Sequence, residues 1–381
     1  MRIGFLGTRG IPACYSGFET FLEQLSVRLV QRGHNVTVYN RIPFNRYAGK
    51  TFKGVRIVRL PTLPTKGTDT LVHTALSVLH ALGQDFDIVY FCGVGNSLWS
   101  FVPRLRSAKT IVNVDGADFA RAKWSGFGRW WLHRSESWAA RLADVVVADN
   151  GTIKQRYREL YRVDAELIPY GANVVTQDPG SDALAKYQLT PKNYFLYVSR
   201  LTPENAADLA MAAHQASGAG LPLVVIGDAP YQHEYITNLK VMAAKATNIV
   251  MTGYLFGEAY QQLSFHARAF ILPTAIDATR PVLLDQMGFG NCVIVRDTPG
   301  NLEVVGDTAI TFSHADPEKS LAAAIQRVAA DAALAAQLGE RAQQRVRDHY
   351  DWDVICGRYE ALFRRMVEGV KPRGGHAPLR G

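Results

Sequence analysis

Short apolar runs alternate with segments of helical periodicity along almost the whole chain. In the first half the strand-like runs are Ile3–Gly7, Asn35–Asn40, Val55–Leu60, Asp87–Cys92, Thr110–Asp115, Val145–Asp149 and Ala165–Tyr170. Helical spacing covers Gly17–Arg32, Thr68–Leu82, Ser97–Leu105, Trp130–Ala143 and Thr152–Tyr161 between them. Near-continuous apolar strands separated by helices are the pattern of a parallel sheet covered on both faces. The alternation lapses after Val174, where Gln177-Asp-Pro-Gly-Ser-Asp182 reads as a loop. A second series follows, with strands at Tyr194–Arg200, Leu223–Gly227, Asn248–Gly253, Ala269–Pro273, Cys292–Asp297 and Ala309–Phe312. Its helices lie near Ala206–Ser217, Tyr231–Ala246, Glu258–His266 and Pro317–Tyr350.

The pattern predicts an α/β protein of two Rossmann-like, doubly wound domains, 1–172 and 173–352, facing across a cleft. A last amphipathic helix, 353–368, puts Ile355, Tyr359, Leu362 and Phe363 on one face and is expected to return to the first domain. Residues 369–381 read as a flexible tail. Ligands of such sheets bind at the carboxyl ends of the strands, so candidate chemistry belongs there.

Charge sharpens the picture because it is uneven. Residues 1–170 hold 23 Lys and Arg against 13 Asp and Glu, and the remainder holds 19 against 21. A basic half suits an anionic partner such as a phosphorylated acceptor, an anionic membrane face or nucleic acid, or it is simply a solvated surface. No run of about 18 apolar residues is present, and the chain opens directly on a strand, so a cytoplasmic protein without a signal peptide is expected. Four scattered cysteines (Cys14, Cys92, Cys292, Cys356) form no CxxC pair and read as small side chains in a reducing compartment. There is no zinc spacing, P-loop, GxSxG or RNA-binding motif, which weakens the hydrolase, NTPase and nucleic-acid readings and leaves no metal expected.

Candidate chemistry begins at Gly7-Thr-Arg-Gly-Ile-Pro-Ala-Cys-Tyr-Ser-Gly-Phe-Glu-Thr20. It lacks the tight three-glycine turn of a dinucleotide site. Its longer loop ends at Gly17, where backbone N–H groups could approach a phosphate, and Glu19 falls in the first helical turn. Glu19 is equally an ordinary first-turn acid. Asp115 closes a buried strand before Gly116 and points to a strand's carboxyl end, with Asp118 competing for the same role. Such a carboxylate could stabilise developing positive charge or take a proton, or merely form a turn. The stretch Arg121-Ala-Lys-Trp-Ser-Gly-Phe-Gly-Arg-Trp-Trp-Leu-His-Arg134 interleaves cations and aromatics, as an acceptor-phosphate site or interfacial anchor would; Arg121, Lys123 and Trp124 are its candidates. Trp131, Arg134, Ser135 and Trp138 also fall at helical spacing, so core packing is the alternative.

The first loop resembles the opening of the retaining glycosyltransferases of sequence family 4, which have the GT-B fold, and in particular a bacterial rhamnosyltransferase-like branch. The likeness continues through Arg32-Gly-His-Asn-Val-Thr-Val-Tyr39, Val112-Asn-Val-Asp-Gly116, Ile168-Pro-Tyr-Gly171, Ser199-Arg-Leu-Thr-Pro-Glu-Asn205, Gly227-Asp-Ala-Pro230 and Gly290-Asn291, across roughly residues 1–365. It implies that Arg200 contacts a donor diphosphate, a task suited to a permanently charged, bidentate guanidinium. It also places Asn205, Gly227, Asp228 and Tyr254 in the donor site. The wider family has Lys where Asn205 stands. Two family glutamates with seven residues between them are replaced by Asp277, implied to lie by the transferred sugar, and Asp285, implied to hold the ribose. Arg280 stands between them where the branch has Asn.

The resemblance therefore implies sugar transfer with retention from a UDP- or dTDP-sugar, with rhamnose the branch-level expectation. The donor is a substrate, and neither cofactor nor metal is required. The acceptor is a glycan or polyprenyl-linked glycolipid, with an anionic inner membrane face as a further partner. Two rivals remain at this point: a non-catalytic nucleotide-sugar-binding or scaffold protein, and a GT-B-type nucleotide-sugar epimerase.

Overall fold

A computed structural model describes residues 1–14, 17–63, 65, 69–114, 126–229, 232–277 and 279–369, without the side chains of Phe127 and Arg129. The chain divides into two units. The first comprises Met1–Pro169 and the segment from Trp352 onward, and the second Tyr170–Asp351.

In unit 1 the strands are β1 (Arg2–Leu6), β2 (Asn35–Ile42), β3 (Thr51–Phe52), β4 (Val55–Pro61), β5 (Ile88–Cys92), β6 (Lys109–Val114), β7 (Val145–Ala148) and β8 (Glu166–Leu167). Among the described residues they form one sheet in the order β3-β4-β2-β1-β5-β6-β7-β8, parallel except for the β3–β4 pair. Strand β1 sits centrally, with Ile3 opposite both Val36 and Ile88. Its inner residues are fully buried, which is why it is apolar without alternation. Helices α1 (Gly17–Gln31), α2 (Asp69–Leu82), α3 (Gly126–Leu142) and α4 (Gly151–Tyr161) connect the strands. The predicted helix Ser97–Leu105 is instead two 3-10 segments, Val94–Phe101 and Pro103–Arg106, because Pro103 cannot supply an N–H to a continuing ladder.

Unit 2 carries β9 (Phe195–Val198), β10 (Leu223–Ile226), β11 (Ile249–Gly253), β12 (Ala269–Leu272), β13 (Cys292–Arg296) and β14 (Ile310–Phe312). Their order is β11-β10-β9-β12-β13-β14, all parallel. The helices are α5 (Asp182–Lys186), α6 (Ala207–Ala216), α7 (His233–Lys245), α8 (Gly257–Phe265), α9 (Pro281–Gly288), α10 (Pro299–Val305), α11 (Pro317–Ala330) and α12 (Ala332–His349). One core joins Phe195, Tyr197, Ile271 and Ile294 of the sheet to Met211 of α6 and Leu321 and Ile325 of α11. The long helix expected over Pro317–Tyr350 breaks at Asp331, whose backbone is extended and whose carboxylate accepts the Leu334 N–H at 2.8 Å. That acid starts a new helix by capping it.

Helix α13 (Trp352–Glu368) belongs to unit 1. Its Tyr359 ring lies 5.6 Å from Phe21, and its hydroxyl is 3.1 Å from that of Tyr90, which accepts a 2.8 Å bond from the Asn113 amide. Arg32 of α1 ties the outer face by donating to Glu360 and to the Asp353 carbonyl.

Candidate functional site

In unit 2 the ends of β9 and β10 converge. Gly227, with φ of +149°, has no room for a side chain: a Cβ there would lie 1.8 Å from the Ser199 carbonyl oxygen. The Leu201 N–H reaches the Asp228 carbonyl at 3.2 Å, and the Gly227 N–H reaches that of Gly253 at 2.9 Å. The Asp228 carboxylate accepts the Ala229 N–H at 2.7 Å. At this rim Arg200 is exposed and makes no ion pair among the described residues. The 3-10 turn that follows, Pro203–Asn205, is braced from within. Asn205 is only 4% exposed, and its amide donates to the Arg200 carbonyl at 2.9 Å and the Thr202 hydroxyl at 3.0 Å. The structure thus places Asn205 beneath Arg200, holding the loop that presents it.

Arg280 approaches the same turn from another element. It is the N-cap residue of α9, and its Nη2 lies 3.4 Å from the hydroxyl of buried Thr274, which donates to the Glu204 carbonyl at 2.9 Å. Its side chain offers no acceptor to α9, and Pro281 has no N–H. Arg280 therefore sets a cation beside the positive end of that helix dipole. Arg200 and Arg280 bring two cations to strand ends that also carry Glu204, Asp228, Asp277 and Asp285.

Asp285 lies one turn into α9, only partly open to solvent, and burial pushes its carboxyl up to about 7. Burial and the Asp285 charge together raise the Tyr260 hydroxyl. Beneath them a buried chain locks α9 against α8. Gln286 Nε2 donates to the Tyr260 and Ser264 hydroxyls, and Asn291 Nδ2 donates to Gln286 Oε1 at 2.8 Å and the Ser264 carbonyl at 2.7 Å. Sequence reasoning singled out Asn291 within Gly290-Asn291 but had no signal for Tyr260, Ser264 or Gln286. Asp277 is differently employed: its Oδ1 accepts the Gly300 N–H at 2.5 Å, in the first turn of α10, which Thr298 also caps. Tyr254 follows β11 and stacks on Phe256, ring centroids 5.9 Å apart at 22°, with both rings exposed. Phe256 was not anticipated.

The first loop of unit 1 spends its polar groups on itself. Gly10, with φ of +97°, packs where a Cβ would meet Asn40 Oδ1 at 1.9 Å, and Asn40 pairs with both the N–H and carbonyl of Ile11. Glu19 is 3% exposed and accepts the Arg9 N–H at 3.2 Å, and Glu23 accepts that of Ala13 at 2.8 Å. Gly17 is exposed as the first residue of α1. Asp115, Asp118, Arg121, Lys123 and Trp124 lie outside the described residues. The rest of the aromatic stretch splits in two. Trp131 and Trp138 meet edge to face at 5.1 Å, with the Trp131 indole donating to the Gly95 carbonyl, while Trp130 is exposed.

Among the described residues no group of three or more His, Cys, Asp or Glu could hold a metal ion, and no helix is long and apolar enough to cross a membrane. Residues 16–171 match the family described as glycosyl transferase 4-like domain, and 192–331 match glycosyl transferases group 1. The whole chain aligns with 98% of a Mycobacterium tuberculosis glycogen synthase at 24% identity. Sucrose-phosphate synthase from Thermosynechococcus elongatus superposes with a TM-score of 0.81 at 18% identity, covering 97% of this chain and 99% of that one. HepE of Anabaena, solved in complex with UDP, gives 0.76 at 15% identity, with 96% and 100% covered. Two Rossmann-like sheets and family matches over most of the chain lead to one conclusion: this is a nucleotide-sugar-dependent glycosyltransferase of the GT-B fold.

Proposed function

We propose that the chain moves a sugar from a UDP- or dTDP-sugar to a glycan or polyprenyl-linked glycolipid, with retention at the anomeric carbon, at the inner face of a membrane. Its branch resemblance makes rhamnose the first sugar to try. The observation that supports the donor reading is Arg200, exposed just beyond the end of β9, with Arg280 capping α9 and reaching Thr274, which bonds the turn that follows Arg200. As the glycosidic bond to the donor breaks, negative charge grows on the departing diphosphate. Two fixed guanidinium groups and a helix dipole stabilise that charge more in the transition state than in the bound donor. Asp285 would accept from the ribose hydroxyls and so set the register of the nucleotide along α9. Tyr254, with Phe256, would flank the base.

On the acceptor side, Asp115 keeps the role that its sequence context gives it, countering charge on the sugar ring or taking the acceptor proton. HepE, a structural neighbour, is solved with UDP, which supports a uridine or thymidine donor. The test is a thermal-shift screen of UDP-, dTDP- and GDP-sugars followed by mass spectrometry of products with and without lipid-linked acceptor. Stabilisation by the nucleotide sugar without transfer or hydrolysis would return the protein to a binding role. Conversion of the donor without acceptor would make it an epimerase.

A further inference from the structure

Two arginines are almost wholly buried among the described residues, and the fold treats them differently. Arg41, 3% exposed, gives its charge to Asp69 at 2.8 Å. Arg296, 8% exposed, has no ion pair and no side-chain hydrogen bond among the described residues, and its Nε is sealed from solvent without a partner. Its guanidinium carbon lies 5.6 Å from the centre of the Phe312 ring. The neighbouring acid, Asp297, accepts the His314 N–H at 2.8 Å and forms no ion pair with it. A buried cation without a counter-ion is a cost to the fold, and a carboxylate brought by a ligand would offset it.

The place of Arg296 says which ligand. It is the last residue of β13, and strand alternation sets it on the face that carries Cys292 and Ile294 into the core with α6 and α11. On β9 the same core face ends at Tyr197, whose hydroxyl donates to the Asn205 carbonyl at 3.0 Å. The turn that follows Arg200 therefore stands at the carboxyl end of the face that Arg296 closes. Strand β13 is two strands from β9, about 10 Å at the usual strand spacing, which a diphosphate and one sugar ring can span. The Arg296 carbonyl accepts the Thr298 N–H at 2.8 Å and the Asn301 amide at 3.0 Å, and between those residues Gly300 donates to Asp277. Arg296 is thus fixed to the turn that Asp277 holds, and Asp277 is the acid implied to lie by the transferred sugar.

We propose that the transferred sugar is a hexuronate and that Arg296 binds its carboxylate. A guanidinium can hold a carboxylate through two parallel hydrogen bonds, whereas the hydroxymethyl group of a neutral hexose would leave the buried charge unpaired. The inference rests on the donor reading of unit 2 and puts a charged sugar in the place of rhamnose.

Calorimetry of UDP-glucuronate against UDP-glucose, and of UDP-galacturonate against UDP-galactose, tests it, because each pair exchanges a carboxylate for a hydroxymethyl group. The wild type should bind the uronate of at least one pair about tenfold or more tighter. Arg296→Met puts an apolar chain of similar length in the same space. It should erase the preference at unchanged UDP affinity and with a melting temperature that holds or rises, since a buried unpaired charge is removed. Arg296→Lys, which keeps the charge and loses the fork, should retain part of the preference. Equal affinity within both pairs in the wild type overturns the proposal, as does a preference that survives in Arg296→Met. Free glucuronate binding to the UDP complex, with all four UDP-sugars bound alike, would give the carboxylate to an acceptor and overturn it too. Should Arg296→Met not fold, the two wild-type comparisons still decide. If UDP itself is not bound, the donor reading falls and this inference with it; if UDP is bound and the uronates are not preferred, this inference alone falls.

Discussion

The loop after β1 in unit 1 and the loop after β9 in unit 2 occupy equivalent places in similar sheets, yet they use their charges oppositely. In unit 1 the acids Glu19 and Glu23 turn back to accept the N–H groups of Arg9 and Ala13, and Asn40 does the same for Ile11. In unit 2 the amide of Asn205 holds the backbone, while Arg200 is left exposed and Arg280 leans toward the same turn beside a helix start with no capping acid. The described polar groups of the first loop serve its own backbone, as those of a scaffold do. The second loop presents Arg200 to solvent at the end of its sheet, which suits the proposed anionic ligand.

The comparison breaks most severely at Gly227. Alanine there would drive a Cβ into the Ser199 carbonyl in a left-handed backbone region, so Gly227→Ala should cost about 3 kcal/mol or more. In urea unfolding followed by fluorescence, the transition belonging to unit 2 should move and nucleotide binding should vanish with it. A variant as stable as wild type would mean that the two strand ends are not held together as described.

Next in size are Arg200 and Glu19, which test whether the two loops really divide binding from scaffolding. Arg200→Ala should weaken nucleoside-diphosphate affinity by roughly 1.5–3 kcal/mol at unchanged melting temperature, since an exposed side chain is removed. Glu19→Ala should do the reverse. It leaves the Arg9 N–H without its acceptor, costing roughly 1–3 kcal/mol of stability, with nucleotide affinity unmoved. Calorimetry and thermal melting on both variants decide it. If Glu19→Ala loses nucleotide instead, the first loop is part of the donor site.

Much of this architecture is legible in the amino-acid order, because burial on both faces forces near-continuous apolar strands such as Ile3–Leu6 and Leu223–Ile226. The role of Arg200 comes from the resemblance alone, and the structure adds that the side chain is exposed just beyond the end of β9. The break at Asp331 is hidden by the alanines on both sides, whose helix propensity masks a capping acid. Contacts that bridge distant segments are not legible at all. The inward turn of Asn205 depends on Thr202 and the Arg200 carbonyl, and the environment of Asp285 depends on Tyr260 of α8. In a sequence, Asp277 and Asp285 are two equal acids. In the structure one is bonded to a helix start and the other sits in a poorly solvated place.

That difference gives the third prediction. Asp285 has its pKa raised from 3.8 to about 7 by burial. Between these values the folded chain holds the proton more tightly than the unfolded chain, so stability falls as pH rises through the window and levels off above 7. Asp285→Asn removes the cost of the buried charge and should raise stability at pH 8 by on the order of 2 kcal/mol, with little gain at pH 4. Nucleotide affinity should meanwhile drop by about 1–2 kcal/mol, because an ionised acceptor for the ribose hydroxyls is lost. Wild-type affinity should climb as pH passes 7, and the variant's should not. A pH profile shared by both proteins would remove Asp285 from the nucleotide.

The smallest effect on binding is expected at Asp277. Asp277→Asn keeps an oxygen that can accept the Gly300 N–H, so the start of α10 should survive and the melting temperature should hold. Nucleotide affinity should stay within about 0.5 kcal/mol of wild type, because on the proposed reading Asp285, Arg200 and Arg280 serve the ribose and diphosphate. Turnover separates the two uses of the side chain. If the second carboxylate oxygen faces the transferred sugar, kcat should fall at least about tenfold at little changed donor affinity, the mark of an interaction made chiefly in the transition state. If Asp277 serves only to cap α10, Asp277→Asn should turn over like wild type. Asp277→Ala, which strips both functions, would then lose stability by about 1 kcal/mol without any specific loss of rate. Steady-state kinetics on the two variants therefore assign Asp277 either to the sugar or to the scaffold, and place it on one side or the other of the division between the two loops.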